Sequence, residues 1–180
     1  MSKHSARHDV LIVSWGGGGN LPPLLAAGKL LAARDHRVCV LASAATRQPA
    51  VDAGFDVVGY LRAPDPRMDT AFEHQAAQLM AIAAGPEIAL DVRDVVAELR
   101  PELMIVDCML PAGLATGEST GTRTASLVHF PYGLARTQML RGAGAWTTDR
   151  AQRSRLGLSR ERHPRRAAWR DPGASRSERT

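Results

Sequence analysis

The chain has 180 residues, enough for one α/β domain with a real core and short for two. Hydrophobic residues make up 44% of it and aromatics only 4%, so the core must be built from Ala, Val, Leu and Ile. The net charge of +5 is unevenly placed: residues 141–180 hold eleven Arg against four acids, a surplus of +7 that leaves −2 on the rest, so the body is not a basic domain. No run of 18 apolar residues exists, which excludes a transmembrane helix. The opening "MSKHSARHD" is charged and leads directly into a short strand-like run, without the apolar stretch and cleavage site of a secretory signal. Cys39 and Cys108 each sit in or beside an apolar run and read as thiols of a cytosolic protein, not as a disulfide framework.

Strand and helix signals then alternate. The runs 10–14 (VLIVS), 37–42 (RVCVLA), 55–60 (FDVVGY), 102–107 (ELMIVD) and 124–130 (TASLVHF) have the composition of strands buried on both faces. Residues 22–34 form a helix pattern in which Leu24, Ala27, Gly28 and Leu31 share one face, and Pro22 and Pro23 suit its first turn. A second helix is predicted over 46–53, ended by Gly54. The third crossover is long: a proline-marked loop from Arg62, then two helices broken at Gly85-Pro86. Residues 111–120 make a short final crossover. This alternation predicts a Rossmann-like, doubly wound parallel sheet in the order 3-2-1-4-5, with strands one and four flanking the switch point where ligands bind. After about residue 140 the pattern stops, and the Arg-, Ser- and Gly-rich remainder is predicted to be disordered.

The loop after the first strand, "SWGGGGNLPP", brings backbone close to whatever lies at the sheet edge, with a helix N-terminus behind it. It is not a dinucleotide fingerprint, because Leu21 stands where a third glycine belongs and strand two ends without a carboxylate. It is not a phosphate-binding P-loop, since Gly28-Lys29 is followed by Leu30 deep within a helix. "GESTG" at 117–121 matches the string of a nucleophile elbow but precedes a strand instead of following one. His4, His8, His36, His74 and His163 show no ligand spacing, so no metal site is expected.

Two stretches carry a resemblance. The first is "SWGGGGNLPPLLAAGKLLAARDHRVCVLA", with Arg34-Asp35-His36-Arg37-Val38 before strand two. The second is "LMIVDCMLPAGLATGESTGTRTASLVHFPY", a strand ending in Asp, a short helix and a strand running into an aromatic-proline turn. In their order and spacing, Val10 to about Tyr132 resembles the N-terminal, acceptor-binding domain of GT-B glycosyltransferases of the UDP-glycosyltransferase type. It is most similar to the bacterial macrolide and glycopeptide-antibiotic branch. The resemblance implies a reaction in which a hydroxyl of a hydrophobic small molecule attacks the anomeric carbon of a UDP- or dTDP-sugar. A base on the first loop takes the proton, and a carboxylate on strand four orients that base. Asp107 matches that carboxylate; it equally suits a cap for the following helix. The family's base stands three residues before the loop proline. Counting back from Pro22 gives Gly19, and from Pro23 gives Asn20, neither of them a usable base. That leaves Asp107 or His129, on the same sheet edge, to activate the acceptor. Trp15, Gly18, Gly19, Asn20 and His129 are the expected acceptor-side residues, although Trp15 also suits a cover for the sheet edge and His129 a structural role. The segment 61–85 is where the family places acceptor specificity.

The expected organisation is a flexible N-terminus over 1–8, an acceptor-binding domain over 9–140 and a disordered tail over 141–180. Nothing after residue 140 resembles the family's nucleotide-sugar domain, and the tail reads like GC-rich coding sequence out of frame. The expected protein is therefore a cytoplasmic glycosyltransferase half, inactive alone, either a truncated or frameshifted remnant or one needing a separate donor domain. The alternative is a nucleic-acid or polyanion binder acting through the Arg-rich tail, in which Trp146 and Trp169 are the aromatics.

Overall fold

The computed structural model describes residues 9–16, 18–65, 72–129 and Ser154. The flexible N-terminus predicted for 1–8 and, Ser154 apart, the tail predicted from 141 lie outside the described residues, as does 130–140.

Strand β1 (Val10–Val13) leads through a 3-10 turn (Gly18–Asn20) into helix α1 (Leu21–Ala32). Strand β2 (Val38–Ala42), helix α2 (Ala44–Asp52) and strand β3 (Asp56–Gly59) follow. The long crossover holds α3 (Phe72–Ala83) and α4 (Pro86–Leu99), and then come β4 (Leu103–Asp107), α5 (Pro111–Thr120) and β5 (Arg123–Leu127). The strands pair in parallel in the order β3-β2-β1-β4-β5, the predicted order. Val10 is in register with Val38 on one side and with Leu103 on the other. Among the described residues, no helix is long and apolar enough to cross a membrane.

Strand alternation divides the core into two faces. Leu11, Val13, Cys39, Leu41, Met104 and Val106 point to one face, where Ile88, Val92, Val95 and Val96 of α4 cover them. Val10, Ile12, Val38, Val40 and Ile105 point to the other, covered by Leu24 of α1 and Ala50 of α2. Gly28 explains how α1 comes so near the sheet: a Cβ there would lie 2.8 Å from Phe55 Cζ and 2.9 Å from Ile12 Cδ1. Gly54, with φ +87°, takes the left-handed conformation that ends α2.

The prediction that all five strands are buried on both faces holds for β1, β2 and most of β4, and fails at the rims. Residues 123–126 of β5 are exposed and β3 is at best half-buried. Both are edge strands. Their sequences, DVVG and RTASL, are also more polar than VLIV and VCVLA of the centre, so composition and edge position together leave them exposed.

Candidate functional site

The site lies at the C-terminal ends of β1 and β4, the switch point of the sheet order. Just beyond β1, Ser14 Oγ donates to the Leu41 carbonyl at 3.2 Å, and the Gly16 N–H donates to Ser43 Oγ at 3.0 Å. These bonds tie the loop to the end of β2. Gly16 sits so close that a Cβ there would lie 3.1 Å from both Ala45 Cβ and Ser43 Oγ. Trp15 and Asn20 are both 5% exposed, so the loop turns them inward. Gly19 is exposed, with open space where a Cβ would project, and Gly18 begins the 3-10 turn.

Asn20 is the N-cap residue of α1, yet its side chain makes no cap hydrogen bond. The cause is in the sequence. An N-cap side chain accepts from the N–H of the second or third helical residue, and here those are Pro22 and Pro23, which have none. The amide turns instead to the sheet: Nδ2 donates to the Trp15 carbonyl at 3.3 Å and to Asp107 Oδ2. Both partners are acceptors, which fixes the amide orientation and turns Oδ1 elsewhere.

Asp107, the last residue of β4, is fully buried. Besides the Asn20 contact, its Oδ1 accepts the Met109 N–H at 2.9 Å and lies 3.1 Å from His129 Nε2. Asp107 does not cap α5, whose N-cap residue is Leu110; it closes a turn with Met109 ahead of that helix and links the loop to the histidine. His129, two residues beyond β5, is 15% exposed in its side chain. Of the residues singled out from the sequence, Trp15, Asn20, Asp107 and His129 line one cavity of about 100 Å³. Leu79, Met80 and Ala83 of α3 form a wall, and Gly16, Met109 and Leu110 complete the lining. These six were not singled out from the sequence, although α3 falls within the stretch assigned to acceptor specificity. Among the described residues two buried polar atoms have no hydrogen-bond partner, Trp15 Nε1 and Asn20 Oδ1, and both belong to lining residues.

A second buried carboxylate, Asp91 of α4, had no signal in the sequence beyond being an acid on an apolar face. It is 2% exposed, and its Oδ2 accepts the N–H groups of Leu61, Arg62 and Ala63 at 2.8–3.0 Å. Its Oδ1 accepts from the Arg62 guanidinium at 2.7 Å. These bonds to Asp91 and Asp94 hold Arg62 above its ordinary value. Next to this loop, Tyr60 donates its O–H to the Ser14 carbonyl at 3.0 Å. Burial pushes the Tyr60 phenol far above its ordinary value, with Asp91 and Asp107 adding to the effect, so it stays a neutral donor. Asp91 thus ties residues 61–63 to α4, and Tyr60 ties the end of β3 to the end of β1.

Asp107, Cys108 and His129 present ligand atoms within 4.8 Å of one another. A tetrahedral zinc site holds its ligand atoms only about 3.5 Å apart. Here the carboxylate is engaged by Asn20, Met109 and His129, and burial holds the Cys108 thiol above its ordinary value, against thiolate formation. The cluster is a hydrogen-bonded one, and no metal is assigned to it. Ser119 of the "GESTG" string lies within α5 and donates to the Thr116 carbonyl of its own helix at 2.9 Å, which is no nucleophile geometry.

A five-stranded parallel sheet with helices on both faces and a pocket at its switch point is the architecture of a Rossmann-like domain, and comparison with solved structures narrows it. The fold matches a part of solved glycosyltransferases of the GT-B fold. Neighbours include the glycosyltransferase SnogD from Streptomyces nogalater, with a TM-score of 0.64, 18% identity, and 85% of this chain matched to 42% of that one. The glycosyltransferase VinC in complex with dTDP gives a TM-score of 0.54 at 16% identity over 84% of this chain and 39% of its own. The spinosyn rhamnosyltransferase SpnG complexed with spinosyn aglycone gives 0.51 at 23% identity over 66% of this chain and 33% of its own. The chain thus spans about two fifths or less of the length of these enzymes. No family model and no curated protein matches it in sequence.

Proposed function

We propose that this chain is the acceptor-binding half of an antibiotic-type, macrolide-like glycosyltransferase, taking a hydrophobic, hydroxylated small molecule into the cavity between β1, β4 and α3. The observation that carries this reading is the buried Asn20–Asp107–His129 cluster at the switch point, set in an otherwise apolar cavity. Apolar walls with a few convergent polar groups are what a largely hydrophobic hydroxylated ligand requires.

In this reading the acceptor O–H faces the Asp107–His129 pair. As the oxygen forms its bond to the anomeric carbon of a nucleotide-activated sugar, the pair receives the proton and the nucleoside diphosphate departs with the bonding electrons. Asn20 occupies the position on Asp107 that the resemblance gives to the loop base. Its amide nitrogen has no basic lone pair, so it positions the carboxylate instead of accepting a proton. His129 reaches the same carboxylate from the other side of the sheet order, by way of β5.

The donor sugar belongs to the other domain of such enzymes, so the purified chain given a dTDP- or UDP-sugar and a bound acceptor is expected to transfer none. Turnover by the chain alone would overturn the claim that it works as a half. Binding is tested directly by titrating the 180-residue chain, followed by amide NMR, with hydroxylated apolar compounds from phenols to a macrolide aglycone. Perturbations centred on Trp15, Leu79, Met80, Leu110 and His129 support the reading. Saturating additions that leave those residues unmoved refute it.

A further inference from the structure

The loop after β1 carries half of the polar cluster on the stretch of chain least able to fix its own shape. Residues 16–19 are four consecutive glycines, and glycine loses more conformational freedom on ordering than any other residue. Trp15 and Asn20 stand on either side of that run, each 5% exposed, and the Asn20 amide reaches Asp107. Whatever places these two side chains must act from outside the loop.

Three hydrogen bonds fall on Ser14 and Gly16, the neighbours of Trp15. Ser14 Oγ donates to the Leu41 carbonyl at 3.2 Å, the Gly16 N–H donates to Ser43 Oγ at 3.0 Å, and the Tyr60 O–H donates to the Ser14 carbonyl at 3.0 Å. Tyr60 follows β3, so its ring crosses the end of β2 to reach β1. Ser43 is the N-cap residue of α2, yet its side chain makes no cap hydrogen bond. Unlike Asn20, it is followed by residues that keep their N–H groups, Ala45 and Thr46, so the cap is forgone although the sequence allows it. Its hydroxyl is directed instead. Thr46 Oγ1 donates to the Ser43 carbonyl at 3.3 Å, which leaves the Ser43 proton to point to Thr46 Oγ1 at 3.2 Å and a Ser43 lone pair for Gly16.

We propose that Ser43 and Tyr60 are positioning residues of the site: from the ends of β2 and β3 they clamp the peptides on both sides of Trp15, so that Trp15 lines the cavity and Asn20 meets Asp107. The clamp reaches Asn20 through the Trp15 carbonyl, which accepts its amide at 3.3 Å. This rests on the acceptor-binding reading above and adds what keeps the cavity ready. A wall ordered before the ligand arrives adds no ordering cost to binding.

The test makes Tyr60→Phe and, separately, Ser43→Ala in the full 180-residue chain, each deleting one hydroxyl and nearly keeping the packing shape. In the free chain the Asn20 Nδ2 proton resonances, assigned by their loss in Asn20→Ala, are expected to move towards those of a solvated asparagine in both variants. The Gly16 amide is expected to exchange faster in Ser43→Ala. A hydroxyl that merely supports the fold would lower the urea midpoint and leave the Asn20 resonances in place, and that result would overturn the proposal. Amide dispersion checks the fold of each variant, and either variant alone is decisive. Phenol, titrated by NMR, is expected to bind each variant about threefold or more weaker than the unaltered chain. Equal affinity in all three chains would overturn the positioning role. A cavity unmoved by phenol and by a macrolide aglycone in the unaltered chain would overturn the acceptor reading, and the Asn20 resonances would still decide the clamp.

Discussion

Replacing Asp107 by alanine tests whether the cluster is a joint of the fold as well as a site. The carboxylate is fully buried and receives the Asn20 amide, the Met109 N–H and the His129 ring. Hydrogen bonds to a buried charge contribute about 1.5–3 kcal/mol each, but they are not additive and the charge carries its own desolvation cost. A net loss of about 3–5 kcal/mol is expected, because truncation leaves the Met109 N–H and one Asn20 proton buried without an acceptor. With a urea dependence of about 2 kcal/mol per molar, the unfolding midpoint measured by circular dichroism falls by about 2 M. Asparagine is no rescue at this position, since its NH2 would set a donor against either the Asn20 amide or the Met109 N–H, both of which donate. The direct contact is isolated by a double-mutant cycle with Asn20→Ala, where a coupling above about 1 kcal/mol is expected. Additivity of the two changes within about 0.5 kcal/mol, or a loss below 1 kcal/mol for Asp107→Ala, would refute the argument.

Three further outcomes follow from packing and burial. Gly28→Ala places a methyl 2.8 Å from Phe55 and 2.9 Å from Ile12, so crowding of about 1–3 kcal/mol outweighs a helix-propensity gain of up to about 1 kcal/mol. Its melting temperature is expected to fall, and a rise contradicts the close approach of α1. Asp91→Ala frees the N–H groups of Leu61, Arg62 and Ala63, so hydrogen exchange at those three amides should accelerate and stability should drop by about 3–5 kcal/mol. Arg62→Ala should cost far less than Asp91→Ala, since the Arg62 side chain is 42% exposed, and equal losses from both changes would be inconsistent with the buried carboxylate as anchor. Burial in β2 pushes the Cys39 thiol from 9.0 up to about 11. The native fold thus favours the protonated thiol, and its contribution is complete below pH 9 and lost as pH rises towards 11. The total is on the order of 3 kcal/mol, so Cys39→Ala should flatten the alkaline fall in stability. An unchanged slope in that variant would show that the thiol is not what titrates.

Most of the fold was legible because its signals are local. Apolar runs of five to seven residues at the right separation, with Pro22, Pro23 and Gly54 punctuating the helices, imply an alternating parallel architecture, and the handedness of crossovers then leaves little choice of strand order. Gly28 was also readable, as a small residue on the inward stripe of α1. The rim strands were misread: runs 55–60 and 124–130 read as buried on both faces, whereas the strands formed there, DVVG and RTASL, are more polar than the centre and lie at the sheet edges.

The site divides the same way. Asp107 and Asn20 were picked out through the resemblance, by strand-four position and by counting back from the loop proline, and Trp15 and His129 by their place just beyond strands, where topology gathers what sequence separates. Which register of the glycine loop faces the carboxylate was not decidable by counting from a proline, since Pro22 and Pro23 are adjacent and point to Gly19 and Asn20 respectively. Tertiary packing decides it: Gly19 lies in solvent and Asn20 is bound to Asp107. Yet the reason that the Asn20 side chain is available for Asp107 is written in the two prolines after it, which deny it the usual cap. Local chemistry along the chain thus sets what each residue is able to offer. The long-range contacts of β1, β4, β5 and α3 decide which of those offers meet, because hydrogen bonds between residues 87 apart depend on a core that no window of sequence contains.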